Sequence, residues 1–231
     1  MAKRRPAPSV LCYGDSLTAG MHSNGGEFHP YSRKLQRLLG HGAVCADCGE
    51  PGACADALAR SLPSRLEKSD SRLRRRWTHV AILAGTNDLR FGAPAEAVIS
   101  SLATAHAAAA HSGATAIALT LPQIRGEEKS SLGKRRAIVN GWLRDKATAS
   151  GDVRCADVAA ALEDATLMDD AVHFTPKGYD IIAEVVRAAM KQGDSGARRR
   201  PDVDSKSGPA ETDKDAGAGQ KQSDVAAEPP S

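Results

Sequence analysis

Aromatic residues are scarce in this chain: three Phe, three Tyr and two Trp make up 3% of its 231 residues. A core with so few large rings has to be assembled from Val, Leu, Ile and Ala. The abundance of alanine points to helices packed closely through small side chains. Long apolar runs are also lacking. None reaches the roughly 20 residues that a membrane helix needs, so no stable membrane insertion is expected. The opening run MAKRRPAPSVLCYGDS is basic, but its apolar stretch is too short for a secretory leader. A strong excess of one charge is missing too. With 31 Lys and Arg against 28 Asp and Glu the formal net charge is +3, which implies no nucleic-acid partner without a focused basic surface. Two basic runs, Arg72 to Arg76 and Arg198 to Arg200, read as solvated charges. Five cysteines, an odd number, are present: Cys12, Cys45, Cys48, Cys54 and Cys155. Cys45 and Cys48 form a CxxC, yet no second Cys or His pair follows at zinc-ribbon spacing, so neither a metal nor another cofactor is expected. Reduced, partly apolar thiols point to a reducing compartment and hence to the cytoplasm.

What is present is a regular alternation. Residues 1–8 read as a basic extension. From Ser9 the chain carries short, continuous apolar runs that stop abruptly at turn residues: Val10 to Tyr13 before Gly14, Ala43 to Cys48 before Gly49-Glu50-Pro51-Gly52, Thr78 to Ala84 before Gly85, Thr115 to Leu121 before Pro122, and a weaker run Val153 to Val158. Between them lie segments with helical spacing: Tyr31 to Leu39, Ala53 to Leu62, Pro94 to His111, Lys134 to about Ser150, and Pro176 to Lys191. In the fourth, Ile138, Trp142 and Leu143 share the expected buried face; in the last, Ile181, Ile182, Val185 and Val186 do. Gly20 to Pro30 and Gln123 to Gly133 read as loops. Strands that are apolar throughout are covered on both faces, so the pattern predicts an α/β fold with a parallel sheet between two helical layers. From about Gln192 the composition turns to Gly, Pro, Ser, Lys, Asp and Glu. Too little apolar surface remains there to offset ordering entropy, and 192–231 is expected to be a disordered tail after a domain spanning 9–191.

In an open parallel sheet, sites form beyond the carboxyl ends of the strands. Four such places here hold residues suited to acyl transfer. Ser16 follows the first strand; a serine hydroxyl there fits a helix N-cap as well as a nucleophile, and needs a base to act as the latter. Asp170 and His173 form a DxxH, at a spacing that lets the carboxylate reach back to the imidazole, though Asp170 would equally cap a turn. Asn87, in Gly85-Thr86-Asn87-Asp88 after the strongest strand, can donate to a developing oxyanion or simply stabilise an Asn-Asp turn. Gly52 offers a backbone N–H with no side chain in the way.

Together these blocks resemble the GDSL, or SGNH, hydrolase family. The first is Gly14-Asp15-Ser16-Leu17-Thr18-Ala19-Gly20, a later one Gly85-Thr86-Asn87-Asp88, and the last Asp170-Ala171-Val172-His173-Phe174-Thr175-Pro176-Lys177-Gly178-Tyr179. The second block departs from the family pattern: Cys48 stands where Asn is common, while Gly52 fits the oxyanion glycine by position. The resemblance spans about Ser9 to Met190. It implies a three-layer α/β/α sandwich with a flavodoxin-like five-stranded parallel sheet. It further implies Ser16 as nucleophile, His173 as general base and acid, and Asp170 as the residue orienting His173. Asp164 and Asp169 are rival acids that the family spacing disfavours. The Ser16 and Gly52 amides and the Asn87 side chain would hold the oxyanion. The implied partner is a small-molecule ester, with a lysophospholipid, a thioester or an acetylated sugar among the options. An acyltransferase and a catalytically silent binding protein are the alternatives on the same scaffold. Loops 21–30 and 122–133, with Leu89 and Phe91, are expected to shape a small or open acyl pocket.

Overall fold

The computed structural model describes residues 7–73, 76–127, 129–149 and 153–192. The expected tail from 193 onward, nearly all of the basic extension, the Arg198–Arg200 run and part of the Arg72–Arg76 run lie outside the described residues.

Strand β1 (Ser9–Gly14) is buried along its whole length. It is followed by the short helix α1 (Ser16–Ala19), a small antiparallel hairpin of β2 (Met21–His22) and β3 (Glu27–Phe28), and helix α2 (Tyr31–Leu39). Then come β4 (Val44–Gly49), α3 (Ala55–Leu73), β5 (His79–Leu83), α4 (Thr86–Arg90), α5 (Ala95–His111) and β6 (Thr115–Leu119). The chain continues through α6 (Ser131–Ala149), β7 (Val153–Ala156), α7 (Val158–Ala161) and α8 (Pro176–Lys191).

The five long strands form one parallel sheet in the order β4-β1-β5-β6-β7. Counting only these five, that is the flavodoxin-like order 2-1-3-4-5, whose direction reverses at the first strand. Helices α2 and α8 pack together on one face, while α3, α5 and α6 pack in succession on the other. The three-layer α/β/α sandwich expected from the apolar runs is therefore the architecture observed. Its core is aliphatic, as the shortage of aromatics requires: Val10, Leu11, Val80, Ile82, Ile117 and Leu119 fill the sheet, and Ala105 and Ala109 let α5 sit close. The aromatics that are buried are few and large, with Tyr13, Tyr31, Tyr179 and Phe174 all fully enclosed. Among the described residues no helix is long and apolar enough to cross a membrane.

Several local expectations are corrected. Helix α3 does not end at Leu62 but continues through Pro63 to Leu73. A proline inside a helix removes one hydrogen bond. Here Leu58, Leu62 and Leu66 form a single buried stripe across it, and that burial outweighs the local break. Helix α6 begins at Ser131, and its buried face is Val139 and Leu143, whereas Ile138 is 52% exposed. In α8, Ile182 and Val186 are fully buried, while Ile181 and Val185 only flank the core. Cys45 and Cys48, three apart on a strand, fall on opposite faces of β4, so they cannot close on one ion.

His106 of α5 is 1% exposed, stacks on Trp142 of α6 with ring centroids 6.0 Å apart, and has no hydrogen-bond partner at either ring nitrogen. Burial pushes its pKa down from 6.5 to about 4. The folded protein thus excludes a proton that the unfolded chain takes up, and stability present above pH 6.5 is lost as pH falls toward 4. At pH 5 this amounts to about 2 kcal/mol. His106→Phe, which keeps the stack, is expected to raise the melting temperature more at pH 5 than at pH 7.5; an equal shift at both would refute the coupling.

Candidate active site

The carboxyl ends of the strands bring the sequence-expected residues to one edge of the sheet. Strand β1 ends at Gly14, where a Cβ would lie 2.0 Å from the Leu83 carbonyl oxygen and 2.4 Å from Thr18 Oγ1. Only glycine permits the chain to turn this close to β5. Asp15 then caps α1, its Oδ1 accepting from the Leu17 N–H at 2.9 Å. Ser16 consequently occupies the first helical position, where a backbone N–H has no intrahelical acceptor.

Ser16 Oγ lies 3.0 Å from His173 Nε2. His173 is in turn gripped by Asp170: Oδ2 accepts from the ring Nδ1–H at 2.7 Å, and Oδ1 accepts from the Val172 and His173 backbone N–H groups, each at 2.7 Å. One carboxylate therefore knits the whole DxxH turn and fixes the imidazole tautomer. With Nδ1 carrying the proton, the Nε2 lone pair faces the Ser16 hydroxyl. Burial opposes ionisation of Asp170, but the hydrogen bonds from His173 and Val172 more than compensate and hold its pKa at about 2. Ser16 and His173 are 5% and 8% exposed, so the pair is largely shielded from bulk water.

The rival acids are committed elsewhere. Asp164 accepts from the Thr166 N–H and hydroxyl, and Asp169 accepts from the Ser23 N–H at 2.7 Å. The latter bond ties the β2–β3 hairpin to the histidine turn. Tyr179 reinforces it by donating to the Met21 carbonyl at 2.6 Å. Thr175 then starts α8 by accepting from the Gly178 N–H.

On the other side of Ser16, Glu50-Pro51-Gly52-Ala53 forms a β-turn closed by the Ala53 N–H on the Glu50 carbonyl at 3.0 Å. Gly52 has φ +82°, as position i+2 of a turn with proline at i+1 demands. Its N–H has no acceptor among the described residues. The sequence alone did not reveal what holds this turn. Glu50 N–H donates to Gly14 O at 2.8 Å, Asn87 Nδ2 donates to Ala53 O at 2.9 Å, and Asp88 Oδ2 accepts from the Ala55 N–H at 2.9 Å. The Gly85–Asp88 block thus clamps the glycine turn, and Asn87 keeps its second amide hydrogen for another acceptor. Cys48, standing in β4 just before this turn, takes no part in these bonds. The amides of Ser16 and Gly52 and the Asn87 side chain are thus donors on segments held at the same edge of the sheet. Leu89, expected to line a pocket, is fully buried in the core; Phe91, one residue past α4, is 72% exposed.

Asp15 departs from ordinary carboxylate behaviour. It is fully buried, its Oδ2 has no partner, and burial, aided by the nearby Asp88 carboxylate, pushes its pKa up to about 7. The folded state holds this proton where the unfolded chain releases it, so stability declines as pH rises from about 4 to 7. Asp15→Asn keeps the acceptor for the Leu17 N–H. Its stability relative to the parent is expected to rise by at least about 2 kcal/mol between pH 4 and pH 8 in denaturant unfolding. A constant difference would show that Asp15 is ionised in the folded protein.

The sequence profile of the GDSL-like Lipase/Acylhydrolase family matches residues 12–181. No curated protein matches the chain. Several solved structures share the fold. A lipolytic protein of the G-D-S-L family from Veillonella parvula superposes with a TM-score of 0.63 at 20% identity, covering 80% of this chain and 100% of its own. A carbohydrate acetylesterase family member from Sinorhizobium meliloti gives 0.66 at 17%, covering 80% and 98%. An aryl esterase from M. smegmatis gives 0.61 at 19%, covering 79% and 100%. The profile spans well over half of the sequence and includes every block described above, and the chain belongs to the GDSL-like lipase/acylhydrolase family of ester hydrolases.

Proposed function

We propose that this protein cleaves carboxylic esters through an acyl-enzyme on Ser16. The observation that carries the reading is the continuous path from Ser16 Oγ through the His173 ring to Asp170, with contacts of 3.0 and 2.7 Å. As Ser16 Oγ attacks the ester carbonyl carbon, its proton passes to His173 Nε2. Asp170, ionised at any pH above about 2, stabilises the imidazolium that results. The carbonyl oxygen becomes an oxyanion, held by the N–H groups of Ser16 and Gly52 and by the Asn87 amide. His173 returns the proton to the leaving alkoxide, and the ester's alcohol departs. Water then repeats the sequence, with His173 as base, to free the acid and restore Ser16.

Geometry favours a small or open acyl site. The β2–β3 hairpin spans only Met21 to Phe28, and the 50% exposed Phe28 on it and the 72% exposed Phe91 present apolar surface. Short acyl esters are therefore the first substrates to try.

Ser16→Ala should lower kcat for p-nitrophenyl acetate by at least about a thousandfold. Asn87→Ala should lower it by roughly a hundredfold to a thousandfold with less change in KM, since an oxyanion donor acts in the transition state. Undiminished turnover by Ser16→Ala would overturn the assignment.

A further inference from the structure

A pocket lies at the opposite end of the sheet from Ser16, where the strands begin. It encloses about 530 Å³. Pro8 enters it just before β1, and Arg154 from the start of β7. Leu39, the last residue of α2, and Arg187, Met190 and Lys191 from the end of α8 complete the walls that matter here. Among the described residues no carboxylate lines it. Arg154 donates to the Met190 carbonyl and so caps α8. Arg187 and Lys191 have no carboxylate partner among the described residues.

Helix capping does not account for this much charge. Each helix C-terminus carries a partial charge of about −0.5, and two such ends, of α2 and α8, meet at the pocket. They offset roughly one of its three fixed positive charges. About two positive charges remain, half-enclosed beside an apolar wall of Pro8, Leu39 and Met190. A phosphate monoester, with about −1.5 to −2 charges at neutral pH and three strong acceptor oxygens, matches that surplus. Guanidinium forks suit phosphate oxygens geometrically as well.

We propose that this pocket binds a small soluble molecule bearing a phosphate group next to an apolar moiety. The phosphate sits among Arg154, Arg187 and Lys191, and the apolar part lies against Leu39 and Met190. The site is separate from Ser16 and does not depend on the esterase reading.

Calorimetric titration of the full chain at low ionic strength tests this, with inorganic phosphate and with phenylphosphonate, which has no ester bond to cleave. Saturable one-to-one binding is expected, tighter for phenylphosphonate because of the apolar wall. The double variant Arg187→Gln/Lys191→Gln, which removes no side-chain hydrogen bond or ion pair among the described residues, should weaken both by about tenfold or more. Arg60→Gln, on an exposed turn of α3, should leave both unchanged. Binding that the double variant does not alter would overturn the proposal, as would no binding of either probe. Retention on phosphatidic acid vesicles without binding of the soluble probes would assign the charge to a lipid surface and overturn it too.

Discussion

The carboxyl edge of the sheet is organised around one contact: a serine hydroxyl and an imidazole nitrogen, 157 residues apart in sequence, held 3.0 Å apart. A hydrogen bond of this kind contributes only about 1 kcal/mol net, far too little to position two chain segments by itself. The scaffold must impose the distance. Strand β1 lies between β4 and β5, so Gly14 ends its run in the crevice where the sheet order reverses, and Asp15 caps the short helix that holds Ser16 there. From the other end of the chain, Asp170 accepts three hydrogen bonds within its own turn, and the β2–β3 hairpin is pinned to that turn through Asp169 and Tyr179. Both partners of the contact are thus immobilised before they meet, which is what preorganised catalysis requires.

The same economy explains the clamp on the glycine turn. Cys48 stands where the family resemblance implies asparagine, and Asn87, Asp88 and the Gly14 carbonyl secure the turn without an asparagine there. The substitution leaves the Gly52 amide on a fixed turn. Electrostatically the two ends of the sheet differ. The Ser16 end carries buried or half-buried carboxyl groups, of which Asp15 and Asp88 are both pushed upward in pKa by burial. The far end carries cations beyond what its helix termini need.

Much of this was legible in the sequence, for physical reasons. β1, β5 and β6 are buried on both faces, so they read as unbroken apolar runs ending at glycine or proline. The edge strand β4 has a mixed pattern, and its bounds move by one residue. The β2–β3 hairpin has two-residue strands, too short to leave a periodicity, so Met21 to Phe28 read simply as loop. The helical pattern expected over Ala53 to Leu62 runs on through Pro63 because Leu58, Leu62 and Leu66 form one buried stripe, and Ile138 lies off the expected face of α6. Ser16, Gly52 and Asn87 stood out because they follow strand ends, and Asp170 and His173 because of their DxxH spacing and the family order. The clamps made by Asp88 and Glu50, and the burial of Asp15, depend on tertiary proximity that no local spacing encodes.

The proposed chemistry requires the folded protein to activate one serine out of all those in the chain. Treatment with a fluorophosphonate, followed by peptide mass spectrometry, reads this directly. A single stoichiometric adduct on Ser16, lost in His173→Ala, is the outcome the geometry requires. An adduct on another serine, or undiminished labelling of Ser16 without His173, would contradict it.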